Sequence, residues 1–370
     1  IYNMSRDRLG VSRPAYSAKE TEVLEFLAAL CRAEGLVVET DAGQNLLISL
    51  PEDAEAEKFV VVGSHVDSVP MGGNYDGMAG VLAGLMCLFR ARKTGTRFAR
   101  PVKVLAMRGE ESAWFGPCYI ASKALMGSLT ADELASAHKG DGRSLADHMA
   151  DVGIDMARVS DGQPLMDKSD ILEYIELHIE QGPLLIGKDQ PAAVVSGIRG
   201  NFRHKQVRCI GEAGHSGAVP RAFRKDPVLA MADLLHRLDE SWLTIVQKGD
   251  DLVLTSGVVG TDPERHAMSR IADEIRVTFD LGDVNNTPPA LMTPELVSQL
   301  EQAMGRLGME PTTMASGGGH DAAVFSNAGV PAAMVFVRNQ NGSHNPDEAM
   351  EIADFLAGVS IIYEYLVKSD

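Results

Sequence analysis

Several short apolar runs in this chain each end in a turn cluster that carries a histidine or a carboxylate. Val60-Val61-Val62-Gly63-Ser64 leads into His65, and the loop Gly72-Gly73-Asn74-Tyr75-Asp76-Gly77 follows. Val102-Lys103-Val104-Leu105-Ala106-Met107 ends in Arg108-Gly109-Glu110-Glu111, Tyr174-Ile175-Glu176-Leu177 ends in His178, and Ala332–Val337 precedes a loop holding His344. Short apolar runs bounded by Gly-, Pro- or Asn-rich turns read as buried strands. Strands of this kind alternating with helical stretches build a mostly parallel sheet with crossover helices on its faces. Ligands bind at the carboxyl ends of such strands. The pattern therefore predicts an α/β fold in which His65, Asp76, Glu111, His178 and His344 share one end of a sheet.

The rest of the chain supports that frame and interrupts it once. Apolar residues at three- and four-residue spacing between Ser17 and Gly35 (Val23, Leu24, Phe26, Leu27, Leu30) predict a surface helix with Ser17 as its N-cap. From about Gly197 the texture changes to strand (205–210), helix (226–239), strand (252–259), strand (274–280) and helix (293–307). That order predicts an inserted α+β domain of ferredoxin-like type. The expected division is a discontinuous domain of residues 1–196 and 309–370 around an insertion of residues 197–308.

Composition removes some functions. With 51 acidic and 34 basic residues the formal charge is −17, and Lys and Arg form no basic stripe, which argues against nucleic acid and anionic membrane as partners. The longest apolar stretches fall well short of the ~18–20 residues that cross a bilayer. Cys31, Cys87, Cys118 and Cys209 lack any C-x-x-C spacing and read as free thiols of a reducing, cytoplasmic compartment. The chain opens on Ile1 and runs almost directly into a helix-like segment, so a short preceding piece is expected.

Hydrolytic metal sites need neutral imidazoles and carboxylates in a set that leaves room for water. A carboxylate such as Asp76 can bind one ion through each oxygen, which holds a pair of ions ~3.5–4 Å apart. Neighbouring side chains at a strand end diverge, so Glu111 is assigned to metal and Glu110 to proton transfer. A lone histidine or acidic pair is ordinarily structural; the conjunction is what carries the assignment.

These segments, with Glu176-Leu177-His178-Ile179-Glu180-Gln181-Gly182-Pro183, Gly214-His215-Ser216-Gly217, Gly319-His320-Asp321-Ala322 and Ser343-His344-Asn345-Pro346, resemble the dinuclear metallohydrolases of the aminoacylase and carboxypeptidase superfamily. The resemblance is to the branch of N-carbamoyl-L-amino acid hydrolases, beta-ureidopropionases and allantoate amidohydrolases. It implies a zinc-aminopeptidase-like catalytic domain, an inserted dimerisation or lid domain, and two divalent ions: zinc by the donor mix, with manganese, cobalt or nickel as other occupants. It further implies one ion on His65 and His178, the other on Glu111 and His344, Asp76 bridging, Asp67 orienting His65, and Glu110 as general base. His215 would reach the partner subunit's site and stabilise the oxyanion, so a homodimer is expected. Gln181 and Arg203 are candidate substrate contacts.

The match breaks where the family grips a substrate carboxylate. The positions of its Asn and Arg are Ser269 and Gly282 here, and neither can supply a guanidinium fork. Arg270, Arg276 and Arg338, with Asn339 beside the last ligand loop, are the local replacements. The expected activity is cleavage of a linear amide C–N bond in a ureido compound; an aminoacylase or dipeptidase, or a non-catalytic ligand-binding relative, are the alternatives. His320 and Asp321 read as a turn lining the cleft, and His138, His148, His204, His236 and His266 as surface or helix-packing residues.

Overall fold

The computed structural model describes residues 1–200, 203–249, 252–280 and 288–368. The chain divides into two compact units, Ile1–Ile198 with Ala290–Asp370, and Arg199–Pro289.

In chain order the strands of the first unit are β1 (Val37–Thr40), β2 (Leu46–Ser49), β3 (Phe59–His65), β4 (Val102–Met107), β5 (Ile171–Ile179) and β6 (Ala192–Ile198). The second unit holds β7 (Arg203–Ile210), β8 (Gly214–His215), β9 (Thr255–Gly260), β10 (Arg270–Ile271) and β11 (Glu274–Asp280). The chain then returns to the first unit with β12 (Ala290–Leu291), β13 (Thr313–Ser316) and β14 (Ala332–Val337). Among the described residues the first unit forms one nine-stranded sheet in the order β1-β2-β4-β3-β5-β14-β6-β12, with β13 on β6. Its centre, β4-β3-β5-β14, is parallel throughout, and its flanks are mixed.

The apolar runs are continuous because the sheet is covered on both faces. Along β3, Val60 and Val62 enter one core while Phe59 and Val61 enter the other. The helices Met78–Thr94, Pro294–Arg306 and Ile352–Lys368 bury Leu85, Leu300 and Ile362 on the first face, and Ile120–Leu125 and Asp321–Asn327 cover the second. The helix Ala18–Ala33 starts where expected, with the Ser17 side chain accepting from the Glu20 N–H. Among the described residues no helix is long and apolar enough to cross a membrane, and all four cysteines are free.

The second unit is smaller than its sequence suggests. Its sheet is β7-β11-β9, antiparallel, backed by the helix Pro227–Gln247, whose Met231 packs with Ile275, Val277 and Phe279. The helix expected to close it, Pro294–Arg306, belongs to the first unit, where Leu296, Leu300, Ala303 and Met304 join the main core. The boundary therefore falls near residue 289 and not 308. Amphipathic spacing marks a buried stripe without saying which core buries it.

Candidate metal centre and active site

Four adjacent parallel strands present their carboxyl ends side by side. β4 runs out into Glu110 and Glu111, β3 ends on His65, His178 is the penultimate residue of β5, and the loop after β14 carries His344. The register pairs His65 with Met107 and His178 with Phe336, so the four ends are level. Asp76 enters from the loop between β3 and the helix Met78–Thr94 and lies among them.

Asp76 divides its two oxygens. Oδ1 is 3.4 Å from His65 Nε2 and 3.1 Å from His178 Nε2, while Oδ2 is 3.5 Å from His344 Nε2. His344 Nε2 is also 3.4 Å from Glu111 Oε1. Two clusters result, His65–Asp76–His178 and Asp76–Glu111–His344, and each gathers its donor atoms within 4.8 Å. On His178, Nδ1 lies 2.9 Å from the Ile179 carbonyl, which takes the ring proton and turns the Nε2 lone pair toward Asp76. Glu111 Oε1 is buried and, among the described residues, has no hydrogen-bond partner. It faces the His344 imidazole at 3.4 Å, a spacing that a divalent cation ligated by both groups would occupy. The donor set fits the metal pair expected of it.

The charge balance follows from this crowding. Although burial opposes it, His178 and His65 hold the Asp76 carboxyl well below the usual carboxylate range. The Glu111 contact raises His344 to about 9. Burial, with Glu111, Asp321 and Asp67 adding, pushes Glu110 well above its ordinary value, against the pull of His65. Glu110 Oε2 lies 3.9 Å from His65 Nε2, whereas Glu111 Oε1 meets His344 Nε2, so the two neighbouring glutamates face different imidazoles.

The surrounding polar groups fix the loops. Asp67 Oδ1 is 3.2 Å from His65 Nδ1 and accepts the Glu110 N–H at 2.9 Å, and Oδ2 accepts the Glu111 N–H at 3.1 Å. Asp67 thus orients both strand ends as well as the imidazole. Glu348 Oε1 accepts the N–H groups of Tyr75 and Asp76 at 2.8 and 3.2 Å. Glu20 binds Arg108 Nη1 at 2.8 Å and the Gly109 N–H at 2.9 Å, fixing the turn before Glu110. Gly77 has φ +63°, and a Cβ there would lie 2.4 Å from the His65 ring, so only glycine lets the Asp76 loop close over the imidazole.

Two comparisons decide the lineage. Residues 61–368 match the model of peptidase family M20/M25/M40. The N-carbamoyl-L-amino-acid amidohydrolase of Pseudomonas sp. (strain NS671) is 30% identical over 97% of this chain and 93% of its own, and the allantoate amidohydrolase of Escherichia coli (strain K12) is 31% identical over 95% and 91%. The chain belongs to peptidase family M20/M25/M40. It is a hydrolase, within the amidohydrolase branch of that family. The fold agrees: an amidase of the hydantoinase/carbamoylase family from Burkholderia multivorans superposes with a TM-score of 0.84 at 24% identity, over 99% of this chain and 94% of that one.

In this M20 hydrolase the outer candidates divide. Gln181, at φ +64°, donates from Nε2 to Asp76 Oδ2 at 2.8 Å and lies 3.3 Å from Ser343 Oγ, so it stands at the centre. Ser343 also hydrogen-bonds Asp76. The Arg338 guanidinium is taken up by Asp354 (2.8 and 3.0 Å) and Asp189 (2.8 Å). In the second unit Arg276 Nε is bound to Glu274 at 2.6 Å on its own strand. Arg270 Nη2 lies 3.9 Å from Asp273. Exposed His215 accepts the Gly217 N–H at Nδ1, 3.1 Å away. Arg203 contributes backbone to β7; its side chain and Gly282 lie outside the described residues.

Sequence reasoning missed Glu20, Glu348 and Ser343. Ser343 was within reach as the neighbour of a ligand candidate, whereas the two glutamates carry no local signal. His320 is buried, with its ring centroid 4.4 Å from that of His178 and Nε2 3.0 Å from Ser316 Oγ. Asp321 is fixed by Ser122 Oγ at 2.5 Å.

Proposed function

We propose that this chain is a metal-dependent amidohydrolase cleaving a linear amide C–N bond of a ureido compound, such as an N-carbamoyl-L-amino acid or allantoate. The supporting observation is the division of Asp76, each oxygen facing its own donor set, with Glu110 beside His65. His65 and His178 would hold one divalent ion and Glu111 and His344 the other, zinc by preference and manganese, cobalt or nickel as other occupants. When bound, such a pair polarises a carbonyl and acidifies water. Glu110 takes the proton of the attacking water and returns it to the leaving nitrogen as the C–N bond breaks. Burial holds that carboxyl above its ordinary range, which favours its acting as a proton carrier. Gln181, which donates to Asp76, is assigned to contact the substrate's amide or carboxylate.

His215 is assigned to the oxyanion in a partner copy. Its Nδ1 accepts a backbone N–H, which leaves the proton on Nε2 as a donor. A homodimer through the second unit, in a reducing cytoplasm, completes the reading, supported by exposed Leu229, Leu243, Val246 and Val258 and by the four free thiols.

Glu110→Gln tests the mechanism: it keeps its metal content and loses roughly 10²–10⁴-fold in turnover, and near-normal turnover would remove Glu110 as the base. A panel of carbamoyl-amino acids, allantoate, N-acyl amino acids and dipeptides tests the substrate class. Hydrolysis of only the last two would replace the ureido reading.

A further inference from the structure

A second gathering of metal-ligand side chains lies away from the centre just described. His138, Asp141 and His148 bring their donor atoms within 4.8 Å of one another. His138 Nδ1 is 3.1 Å from Asp141 Oδ1, and His148 Nε2 is 3.2 Å from Oδ2 and 3.3 Å from Oδ1. Four-coordinate zinc with bonds of about 2.0–2.1 Å separates neighbouring donor atoms by about 3.3–3.4 Å. The carboxylate already stands near that distance from both imidazoles.

The scaffold around these groups is built. His138 donates its N–H to the Arg143 carbonyl at 2.8 Å and accepts the Gly142 N–H at 2.9 Å, closing a tight loop that Ala137 and Ser144 bridge. His148 lies on the helix Leu145–Asp151, whose start is fixed by a reciprocal cap between Ser144 and Asp147. The two imidazole centroids are 4.8 Å apart, and Phe115 packs against both at 5.0 and 5.1 Å. Trp114 stacks on His138 at 6.0 Å.

Asp141 is the hub of the cluster. Its Oδ1 pairs with His138 Nδ1 at 3.1 Å and also accepts the Arg143 N–H at 3.0 Å, while Oδ2 faces His148 Nε2. One carboxylate therefore already links both imidazoles at the spacing that ligands of a common ion would have.

We propose that His138, Asp141 and His148 form a separate binding site for one divalent transition-metal ion of the zinc class, with water in the remaining position. The site acts as a clamp on the segment that leaves the active centre. Trp114 and Phe115 follow Glu111 by three and four residues. Trp114 Nε1 donates to the Ser68 carbonyl at 2.8 Å, and its own carbonyl accepts the Lys139 N–H at 2.9 Å. An ion here ties the 138–148 loop and helix to the strap that follows the Glu110–Glu111 pair.

The test is zinc stoichiometry by equilibrium dialysis and elemental analysis on the chelator-stripped full chain and on Asp141→Asn and His148→Gln, with circular dichroism checking the fold. Asp141 is on the surface, so its variant keeps the fold even where the histidine variant does not. The expected result is one equivalent of zinc fewer per chain in each folded variant than in wild type. In the Asp76→Asn, His344→Gln double variant the zinc that remains should disappear in part when Asp141→Asn is added. Equal zinc content in wild type and Asp141→Asn, or no loss on adding Asp141→Asn to the double variant, overturns the proposal.

Discussion

Replacing Asp67 by asparagine removes one oxygen from a group that serves three partners. The side chain is fully buried, accepts the N–H groups of Glu110 and Glu111, and contacts His65 Nδ1. Whichever way the new amide turns, its NH₂ faces a backbone N–H, donor against donor. The less costly orientation keeps the oxygen at the Oδ1 position, where two partners converge, and strands the Glu111 N–H. A stranded buried donor costs about 1–3 kcal/mol, and the stranded one belongs to a proposed ligand residue. Loss of a partner behind a metal ligand lowers metal affinity about 10–100-fold, or about 1.4–2.7 kcal/mol. Chelator competition reads the affinity, and urea unfolding of the stripped protein reads the stability. Both should fall together. An Asp67→Asn chain whose metal affinity and unfolding midpoint match wild type would refute the role given to this carboxylate.

The stripped protein should lose stability as pH rises from about 6.5 to about 9. His344 titrates near 9 in the folded chain against 6.5 as a free imidazole. Its native state therefore binds the proton more tightly, so the contribution is whole below 6.5 and gone above 9. Urea midpoints across that range check the sign: His344→Gln should flatten part of the fall, and a rising midpoint would contradict it. Metal binding runs the other way, because the imidazoles must be deprotonated to ligate, so affinity should climb over the same interval. Arg338→Ala should destabilise by about 1.5–3 kcal/mol through the orphaned Asp354 and leave KM unchanged. A large rise in KM at unaltered stability would return Arg338 to the substrate.

The central strands and the candidate metal-binding residues at their ends were legible because a sheet covered on both faces demands unbroken apolar runs, and a change to Gly, Asn and charge marks where they stop. The groups that fix those ends were not. Glu20 meets Gly109 across 89 residues, and Glu348 meets Asp76 across 272, so no local pattern announces either. Arg338 read as free for a substrate because Asp354 and Asp189, one on a helix and one in a left-handed turn, become its partners only on folding. His138 and His148 look like scattered polar residues until a short loop and a capped helix bring both to one aspartate.

The order of strands also sets a timetable for synthesis. β14 lies between β5 and β6, and among the described residues these two have no ladder with each other, so there β14 is the only join between the two halves of the nine-stranded sheet. A nascent chain that has emitted everything up to the end of the second unit carries His65, Asp76, Glu111 and His178 on β3, β4, β5 and their loops, while the β5 edge still awaits β14. Residues 332–344 then seal that edge and bring the last imidazole in one step, so hydrolytic competence arrives late, together with closure of the sheet.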